Sequence, residues 1–424
     1  MTPLSTHAKH SAISPINSGQ LVNPDIVIAG GGPAGLATSI AAAQQGIRAL
    51  LLERQAEPVD KACGEGLLPP AVAALEWLGV RDLIDPGQCF PFSGVRFLNE
   101  DGSCAVAELP RGGGLGLRRT ALMSALMTRA AQLGVEIRDR CTVVGFKRNH
   151  DSITVETANG AIKAQLLVAA DGLGSPLRRM AGLDATCAGP RRFGLRRHFR
   201  IAPWISRVEV HFAAGVEAYV TPLGQRLVGV AFLWQDDPGR GPTRGAARFE
   251  NFLARLPALA EKLRGAEVCS RVRGAGPMSR RARSPIAPRL VLVGDAAGYL
   301  DAITGEGLSL AFGGAIALAR ILPRAISSGA TIDALAPYRR EAARLFRHSA
   351  TPTHLMLMMV RRPELRRRII RGLGRHPGFF EWMIRWSSGE ISEPLSVHEM
   401  GSNPGTEPCS LPSGPHRWPK RAAL

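Results

Sequence analysis

The chain has 424 residues, 45% of them hydrophobic and 21% charged, which is enough for one large two-part domain or for two domains with a full core. Its formal net charge is +18, yet its basic residues are nearly all arginines spread through every region, and only 5% of its residues are aromatic. Surfaces that bind nucleic acid combine clustered basic residues with aromatic side chains that stack on bases, so we expect no nucleic-acid partner. The charge fits attraction to an anionic small molecule, an anionic lipid or an acidic carrier.

The seven cysteines are scattered, their number is odd, and they form no Cys-x-x-Cys pair. Because the histidines also form no pair joined to an acid, we expect no metal site and a reducing, cytoplasmic location. No apolar run reaches the length of a membrane span. We expect the polar residues 1–23 to be a disordered tail rather than a signal peptide, and residues 388–424 to be a second disordered tail.

The first predicted elements, over residues 24–55, form a dinucleotide-binding unit. An apolar strand enters a Gly-x-Gly-x-x-Gly turn, and an alanine-rich helix follows. The glycines permit the turn, the approach of backbone to a pyrophosphate and the packing of helix on strand, while the phosphates bind N–H groups at the helix N-terminus. A second strand at 48–52 delivers an acid that can bind a ribose hydroxyl. The candidate cofactor-binding residues of this unit are Gly30, Gly32, Pro33, Ala34, Gly35, Glu53 and Arg54.

Further along, strand and helix patterns alternate and lead into a buried strand that ends in Asp171-Gly172. The predicted elements are a helix at 70–78, strands over 88–110 around a turn at 99–102, a helix at 120–133, and strands at 135–146, 152–157 and 161–170.

From about residue 190 to 285 the pattern changes to short β-rich segments, at 193–201, 206–213, 216–221 and 226–234, followed by a helix at 244–263. We interpret this region as a second, mostly antiparallel sheet inserted into the nucleotide-binding part. A buried strand at 289–293 then ends in Gly294-Asp295, and helices are predicted at 305–328 and 331–349.

Asp295 follows a strand, where a carboxylate can bind a ribitol or ribose hydroxyl. The helix beginning near Gly305 points its positive end at whatever lies beside it, which would stabilise the negative charge of a reduced flavin. Together with the N-terminal glycine turn and Asp171-Gly172, these residues predict bound FAD.

With these motifs the chain resembles the FAD-dependent monooxygenase superfamily with the para-hydroxybenzoate-hydroxylase-like fold. Within that superfamily it most resembles the geranylgeranyl-reductase-like flavoproteins. The resemblance covers about residues 24–350 and includes the glycine turn, Arg119-x-x-Leu122, Asp171-Gly172 and Gly294-Asp295. It implies that Arg119 contacts the FAD pyrophosphate, that Asp295 binds the ribityl or ribose part, and that Asp171 supports use of both flavin and NAD(P)H, with Arg178 nearby. The other cofactor-binding candidates are Gly172, Gly294, Gly305 and Gly307.

Two segments resemble the reductase branch in particular. Lys61-Ala62-Cys63-Gly64-Glu65-Gly66 is similar to a loop that lies over the flavin and whose cysteine is implicated in catalysis, and Thr304-Gly305-Glu306-Gly307 is similar to a turn at the flavin's edge. Cys63 could supply a proton to a substrate carbon after hydride transfer. The alternative is that Cys63 is a small packing residue.

Other positions depart from both branches. Gly298 replaces the usual histidine of the hydroxylases, Ala302 replaces a proline of the reductases, and the reductases' aromatic motif is reduced to Ala218-Tyr219-Val220-Thr221-Pro222. Residues 196–200 resemble flavoproteins thought to oxygenate polyketide-type phenols. Tyr219 and His198, on the second sheet, are candidates to orient a phenol or carbonyl, and a salt-bridged or packed histidine is the alternative for His198.

Residues 355–386 mix apolar side chains with arginines. Such a segment can cap the domain, pair a dimer or lie on an anionic bilayer.

We therefore predict an α/β fold in which a Rossmann-like FAD-binding domain carries an inserted, mostly antiparallel β-sheet substrate domain and C-terminal helices. The predicted function is that of an FAD-dependent oxidoreductase, best described as a monooxygenase that hydroxylates a hydrophobic aromatic or polyketide-like substrate with NAD(P)H and O2. The alternative is a flavoprotein that reduces C=C bonds of a prenyl lipid. The predicted domains are 24–190 with 286–350 for FAD, including part of the substrate sheet at 88–110, 191–285 for substrate and 351–387 for the C-terminal helices.

Overall fold

The computed structural model describes residues 24–56, 60–110, 112–186, 191–236 and 245–387. Both predicted tails lie outside the described residues, and the predicted domain boundaries remain a prediction. The helices are α1 (Pro33–Gln44), α2 (Pro69–Trp77), α3 (Arg119–Gln132), α4 (Pro176–Met180), α5 (Gly245–Leu253), α6 (Pro257–Lys262), α7 (Gly307–Ser327), α8 (Ile332–Val360), α9 (Pro363–Arg375) and α10 (Pro377–Ser387).

The strands are short and belong to five sheets. In chain order they are β1 (Ile26–Ala29), β2 (Ala49–Leu52), β3 (Gly66–Leu67), β4 (Cys89–Phe92), β5 (Gly94–Asn99), β6 (Cys104–Glu108), β7 (Gly114–Leu117), β8 (Glu136–Arg138), β9 (Val143–Arg148), β10 (Ile153–Thr157), β11 (Gly160–Ala164), β12 (Leu166–Ala169), β13 (Asp184–Ala185), β14 (Arg192–Arg200), β15 (Arg207–Ala213), β16 (Val216–Gly224), β17 (Leu227–Gln235), β18 (Glu267–Val268), β19 (Arg273–Ala275), β20 (Arg280–Ala282), β21 (Ile286–Ala287), β22 (Leu290–Leu292) and β23 (Gly298–Tyr299).

The nucleotide-binding part is a six-stranded sheet in the order β21-β22-β12-β1-β2-β8. All its pairs are parallel except that of β21 with β22. One face packs against α1, α2, α3 and α7, and the other against the small sheet β9–β11, so the strands are buried on both faces. Because β1, β2, β12 and β22 run in the same direction, the turns that follow them meet at one edge, where doubly wound folds bind their ligands.

The inserted part is a larger sheet in the order β18-β14-β17-β16-β15-β5-β6, with β19 paired to β14. Its pairs are antiparallel apart from β15 with β5. One face is apolar and packs against α5 and α6. The opposite face carries side chains from alternate residues of each strand and faces the first domain and the C-terminal helices. These observations confirm the predicted fold class.

Two predicted elements are wrong in detail. The helix predicted at 244–263 is two helices, because Pro257 lacks a backbone N–H and begins α6, and the preceding Leu256 is not helical. The run predicted as one strand at 135–146 is split between β8 and β9, which belong to different sheets.

The C-terminal helices pack on the edge hairpin β5–β6. Arg366 of α9 is 1% exposed and donates to Asn99 Oδ1 and to Glu100 Oε1, both at 2.7 Å. Gly374 fits so closely that a Cβ there would lie 2.4 Å from the carbonyl oxygen of Cys104. This segment is therefore a docked part of the fold.

By length and composition α7 could cross a membrane. Half of its apolar window is buried, and its side chains belong to the core shared with α1 and α2. These properties are equally those of a core helix.

Candidate active site

A cavity of about 1240 Å³ joins the three parts of the fold. Its wall includes the turns at the carboxyl edge of the six-stranded sheet, the loop at residues 61–66, the inner face of the large sheet and the ends of α8, α9 and α10. Such a volume exceeds that of most ligand pockets, which hold about 300–1,000 Å³.

The glycine turn after β1 has the form of a phosphate cradle. Gly30 has φ +111°, and a Cβ there would lie 2.4 Å from the carbonyl oxygen of Ala170, while a Cβ on Gly35 would lie 1.8 Å from that of Gly30. A Cβ on Gly32 would meet nothing nearer than Arg119 Nη2 at 3.9 Å. The space beside Gly32, at the N-terminus of α1, is therefore open to a pyrophosphate and has a guanidinium on its far side.

The side chain of Glu53 lines the cavity and also holds the turn in place. Its Oε2 accepts the N–H of Gly31 at 2.6 Å, and its Oε1 accepts the N–H of Gln55 at 3.0 Å. A carboxylate has further lone pairs, so a ribose hydroxyl can still donate to it.

Asp171 and Asp295 complete the edge. Asp171 Oδ2 accepts the N–H of Leu177 at 3.1 Å, whereas its Oδ1 is buried with no partner in the described part of the chain. Burial raises the pKa of both carboxyls, and the charges of Arg119 and Lys61 partly lower that of Asp295. An unpaired buried oxygen at the wall of a cavity is a site where a hydroxylated ligand is expected.

Arg178 lies behind this edge and out of the cavity. Its Nη1 donates to the carbonyl of Ala296 at 3.0 Å, and its Nη2 to that of Leu173 at 3.2 Å. It therefore supports the two acidic turns from behind. The glycine cradle, the acids and the flanking cations fit FAD.

Cys63 lies in the cavity wall and is half-buried. Its Sγ accepts the N–H of Glu65 at 3.4 Å. Burial raises the pKa of the Cys63 thiol, and the Glu65 carboxylate raises it further, although Arg119 opposes them. Cys63 is therefore a protonated thiol at neutral pH, which can donate a proton.

The loop that carries Cys63 is fixed from the large sheet. Glu65, 2% exposed, places Oε2 at 2.5 Å from His198 Nε2, and its Oε1 accepts the N–H of Arg119 at 2.9 Å. Arg196 lies beside them, pairs with Asp60 and donates to the carbonyl of Lys61 at 3.0 Å. His198 is fully buried and does not line the cavity. It is therefore not placed to orient a phenol or carbonyl of a substrate, which was the first of the two interpretations. The packed alternative is the one observed.

Two tyrosines line the cavity. Tyr219 donates its hydroxyl proton to the carbonyl of Ile303 at 2.8 Å, so that proton is not available to orient a substrate. Tyr299, which sequence reasoning missed, makes no hydrogen bond through its hydroxyl within the described ranges. Burial holds the pKa of both phenols well above the usual range, so they stay neutral. Tyr299 directly follows Gly298, but no spacing rule showed that it would face the cavity.

The remaining wall is largely apolar. It comes from the C-terminal helices and from the large sheet. These side chains include Val208, Val210, Met356, Met359, Leu373, Phe380, Met383 and Ile384.

Most of the predicted site residues line this cavity, whereas Gly35, Gly294 and His198 do not. The lining residues are Gly30, Gly32, Pro33, Ala34, Glu53, Arg54, Cys63, Arg119, Asp171, Gly172, Tyr219, Asp295, Gly305 and Gly307. Across the described ranges, no group of three or more His, Cys, Asp or Glu side chains could hold a metal ion.

Comparison with known proteins gives a match to the FAD binding domain family over residues 23–351. Two proteins of similar sequence are digeranylgeranylglycerophospholipid reductases. The one from Methanosarcina acetivorans is 28% identical over 72% of this chain and 76% of its own length. The one from Methanopyrus kandleri is 30% identical over 68% of this chain and 77% of its own length.

Solved structures with the same fold have lower identity. A flavoprotein/dehydrogenase from Cytophaga hutchinsonii superposes with a TM-score of 0.75 at 19% identity, covering 88% of this chain and 94% of that one. A p-nitrophenol 4-monooxygenase from Pseudomonas putida superposes with a TM-score of 0.71 at 22% identity, covering 85% of this chain and 96% of that one. A single-residue mutant of the halogenase PltM, solved in complex with FAD, superposes with a TM-score of 0.68 at 19% identity, covering 89% of this chain and 94% of that one.

Proposed function

The chain belongs to the FAD binding domain family and is an FAD-dependent oxidoreductase, and we propose that it reduces carbon–carbon double bonds in a long isoprenoid chain. The observation that carries this proposal is Cys63, a neutral thiol in the wall of a cavity that is otherwise largely apolar. The similar sequence of reductases that act on digeranylgeranyl lipids supports the same substrate class.

The chemistry divides between cofactor and protein. The glycine turn, Asp171 and Asp295 would hold FAD, which in its reduced form would supply a hydride to one carbon of the double bond. The Cys63 thiol, held at the cavity wall, can give its proton to the neighbouring carbon. The apolar wall orients the chain by shape and excludes water, so that no competing proton source reaches the cofactor. NAD(P)H remains our proposal for the electron donor.

The second candidate is oxygenation of a hydrophobic aromatic or polyketide-like substrate with NAD(P)H and O2. Two observations favour it. Tyr299 lines the cavity, and its hydroxyl, which has no hydrogen-bond partner in the described residues, could bind a phenolic oxygen. On β16, Ala218 and Val220 point to the apolar core on the other face, so Tyr219 and Thr221 are left to line the cavity. Because this strand has fewer aromatic side chains than the motif of the reductases, the cavity has more room for the ring of an aromatic substrate.

Anaerobic turnover separates the candidates. Enzyme with dithionite-reduced FAD, given a geranylgeranyl lipid in detergent, should add two hydrogens per double bond, measured by mass spectrometry. Cys63→Ala should lower that rate about a hundredfold with FAD still bound, because a general acid is lost. Cys104→Ala, on β6 and outside the cavity wall, is the matched control. Lipid left unchanged, together with O2-dependent NADPH oxidation stimulated by phenols, would favour the second candidate.

We also propose that the cavity mouth rests on an anionic bilayer. Leu355, Met358 and Phe379 line the cavity, yet they are 44%, 41% and 41% exposed. Phe379 stacks on Trp382, and Trp382 on Trp386, with ring centroids 5.7 and 6.2 Å apart. Exposed arginines of the C-terminal helices and of the turn between α8 and α9 provide charge complementarity to acidic headgroups. They are Arg361, Arg362, Arg368, Arg371, Arg375 and Arg385.

A further inference from the structure

The residue pair His198 and Glu65 takes no direct part in the hydride and proton transfers of the proposed function. His198 lies on β14 and is fully buried, and Glu65 lies in the loop that presents Cys63. Their side chains meet at 2.5 Å, although 133 positions separate them in the chain. The contact therefore joins the large sheet to the loop at residues 61–66 in the cavity wall.

The orientation of the imidazole follows from its neighbours. Arg196 Nη1, which can only donate, lies 3.1 Å from His198 Nδ1, so that nitrogen must accept. Ser270 Oγ lies 2.8 Å from the same nitrogen. The proton of the ring is consequently on Nε2, which donates to the Glu65 carboxylate.

The loop needs such support because Glu65 is strained. Its φ is +59°, a left-handed conformation that costs energy for a residue other than glycine. The carboxylate is held by His198 and by the N–H of Arg119, and the carbonyl of Glu65 accepts the N–H of Leu117 at 2.9 Å. The preceding Gly64 accepts the hydroxyl of Thr221, also at 2.9 Å. These contacts together hold the loop in one conformation.

This conformation sets the position of Cys63. The Glu65 N–H that donates to Cys63 Sγ belongs to the strained peptide, so a change at Glu65 is transmitted directly to the thiol. The charged groups around the pair are Asp60, Arg196 and Arg119. Arg196 Nη2 lies 3.7 Å from Glu65 Oε1, whereas the hydrogen bond to Glu65 Oε2 comes from His198 Nε2.

We infer that His198 is a positioning residue that acts through Glu65 to hold the Cys63 thiol in the cavity wall. The catalytic purpose rests on the proposed function, whereas the positioning itself does not. Without the Nε2–H donor, the strained loop relaxes, and Cys63 leaves its place in the wall.

The test is alkylation of Cys63 by iodoacetamide in the FAD-loaded protein, resolved by peptide mass spectrometry. His198→Ala should raise the alkylation rate about tenfold, the size expected for loss of a charge-assisted hydrogen bond. His198→Gln, whose terminal amide can donate from about the position of Nε2, should restore a rate near that of the unchanged protein. Cys104, half-buried on β6, is the internal reference and should not change.

Turnover gives the second readout. His198→Ala should lower kcat for the prenyl lipid about tenfold and change KM little, because the binding wall is intact. If His198→Ala does not fold, Glu65→Gln tests the same contact, because one carboxylate oxygen becomes an NH2 donor that can accept neither from His198 Nε2–H nor from the N–H of Arg119. Alkylation of folded His198→Ala at the original rate, or equal acceleration in His198→Gln, would overturn the inference. Absence of lipid reduction by the unchanged enzyme would instead refute the proposed function.

Discussion

The guanidinium of Arg178 donates to the carbonyl of Ala296 at 3.0 Å and so joins two turns that are 118 positions apart in the chain. The same side chain, 1% exposed, donates to the carbonyl of Leu173. One buried arginine thus fixes the spacing between the turn that carries Asp171 and the turn that carries Asp295. The two acids that face the cofactor site depend on a residue that does not face it.

Arg178→Met should weaken both the fold and the cofactor site. It keeps much of the apolar stem but removes donors from buried carbonyls, so we expect the free energy of unfolding to fall by about 3 kcal/mol. FAD affinity should fall roughly tenfold, because the acidic turns lose their fixed spacing. Urea unfolding and titration of flavin fluorescence measure these quantities. Arg178→Lys retains one charged donor, so its free energy of unfolding and its FAD affinity should lie between those of Arg178→Met and the unchanged protein. FAD affinity in Arg178→Met equal to that of the unchanged protein would contradict this role.

The glycine turn allows fold and cofactor binding to be separated. A Cβ at Gly35 would lie 1.8 Å from the carbonyl of Gly30, so Gly35→Ala should prevent normal packing of α1 on β1 and give little folded protein. A Cβ at Gly32 has as its nearest neighbour Arg119 Nη2, at 3.9 Å. Gly32→Ala should therefore fold normally and lose FAD affinity about a hundredfold, because the methyl group occupies the pyrophosphate space. Circular dichroism and flavin absorbance of the purified variants measure the two effects. Strong FAD binding by Gly32→Ala would place the pyrophosphate elsewhere.

The FAD-binding fold could be predicted from the sequence because its signals are local. Each relevant strand is an apolar run followed directly by its turn, as in Asp171-Gly172 and Gly294-Asp295. Since parallel strands end at one edge, the meeting of these turns follows from the fold class alone. The family match confirms that fold and its cofactor.

The support of the site could not be predicted, because it consists of contacts between distant residues. Arg192 on β14 donates to Asp301 at 2.8 Å and to Glu217 at 2.6 Å, across 109 and 25 positions of the chain. His198 on the same strand reaches Glu65 across 133 positions. Alternate positions of β14 therefore hold the two loops beside the cavity, and only the packing of the sheet on the first domain brings these partners together.

Glu306 should make the stability of the protein depend on pH. It is 7% exposed at the start of α7, its Oε2 has no partner in the described structure, and burial raises its pKa from 4.5 to about 7. The folded state therefore binds more protons than the unfolded state between these values, and the contribution to stability is lost as the pH rises from 4.5 to 7. The difference corresponds to about 3 kcal/mol.

Glu306→Gln cannot ionise and should not show this loss. Urea unfolding at about pH 5, 6, 7 and 8 should give a curve that is flatter for the variant, by about 3 kcal/mol over the range. Glu76→Gln, which changes an exposed acid on α2, is the control and should follow the unchanged protein. Parallel curves for Glu306→Gln and the unchanged protein would show that Glu306 ionises normally in the folded state.

Binding to vesicles tests the proposed bilayer contact at the cavity mouth. Phe379 is 41% exposed and stacked on Trp382, so Phe379→Ser should remove apolar area that would otherwise enter the interface. We expect Phe379→Ser to bind phosphatidylglycerol vesicles about tenfold more weakly than the unchanged protein, measured as the fraction of protein that floats with the vesicles. Raised salt should weaken binding further, because it screens the charges of the arginines. Trp77→Ser is the matched control, because Trp77 is 38% exposed on α2 and lies away from the cavity. Equal flotation of Phe379→Ser and the unchanged protein, or binding indifferent to the acidic lipid, would exclude this face as the contact and leave the mouth open to solvent.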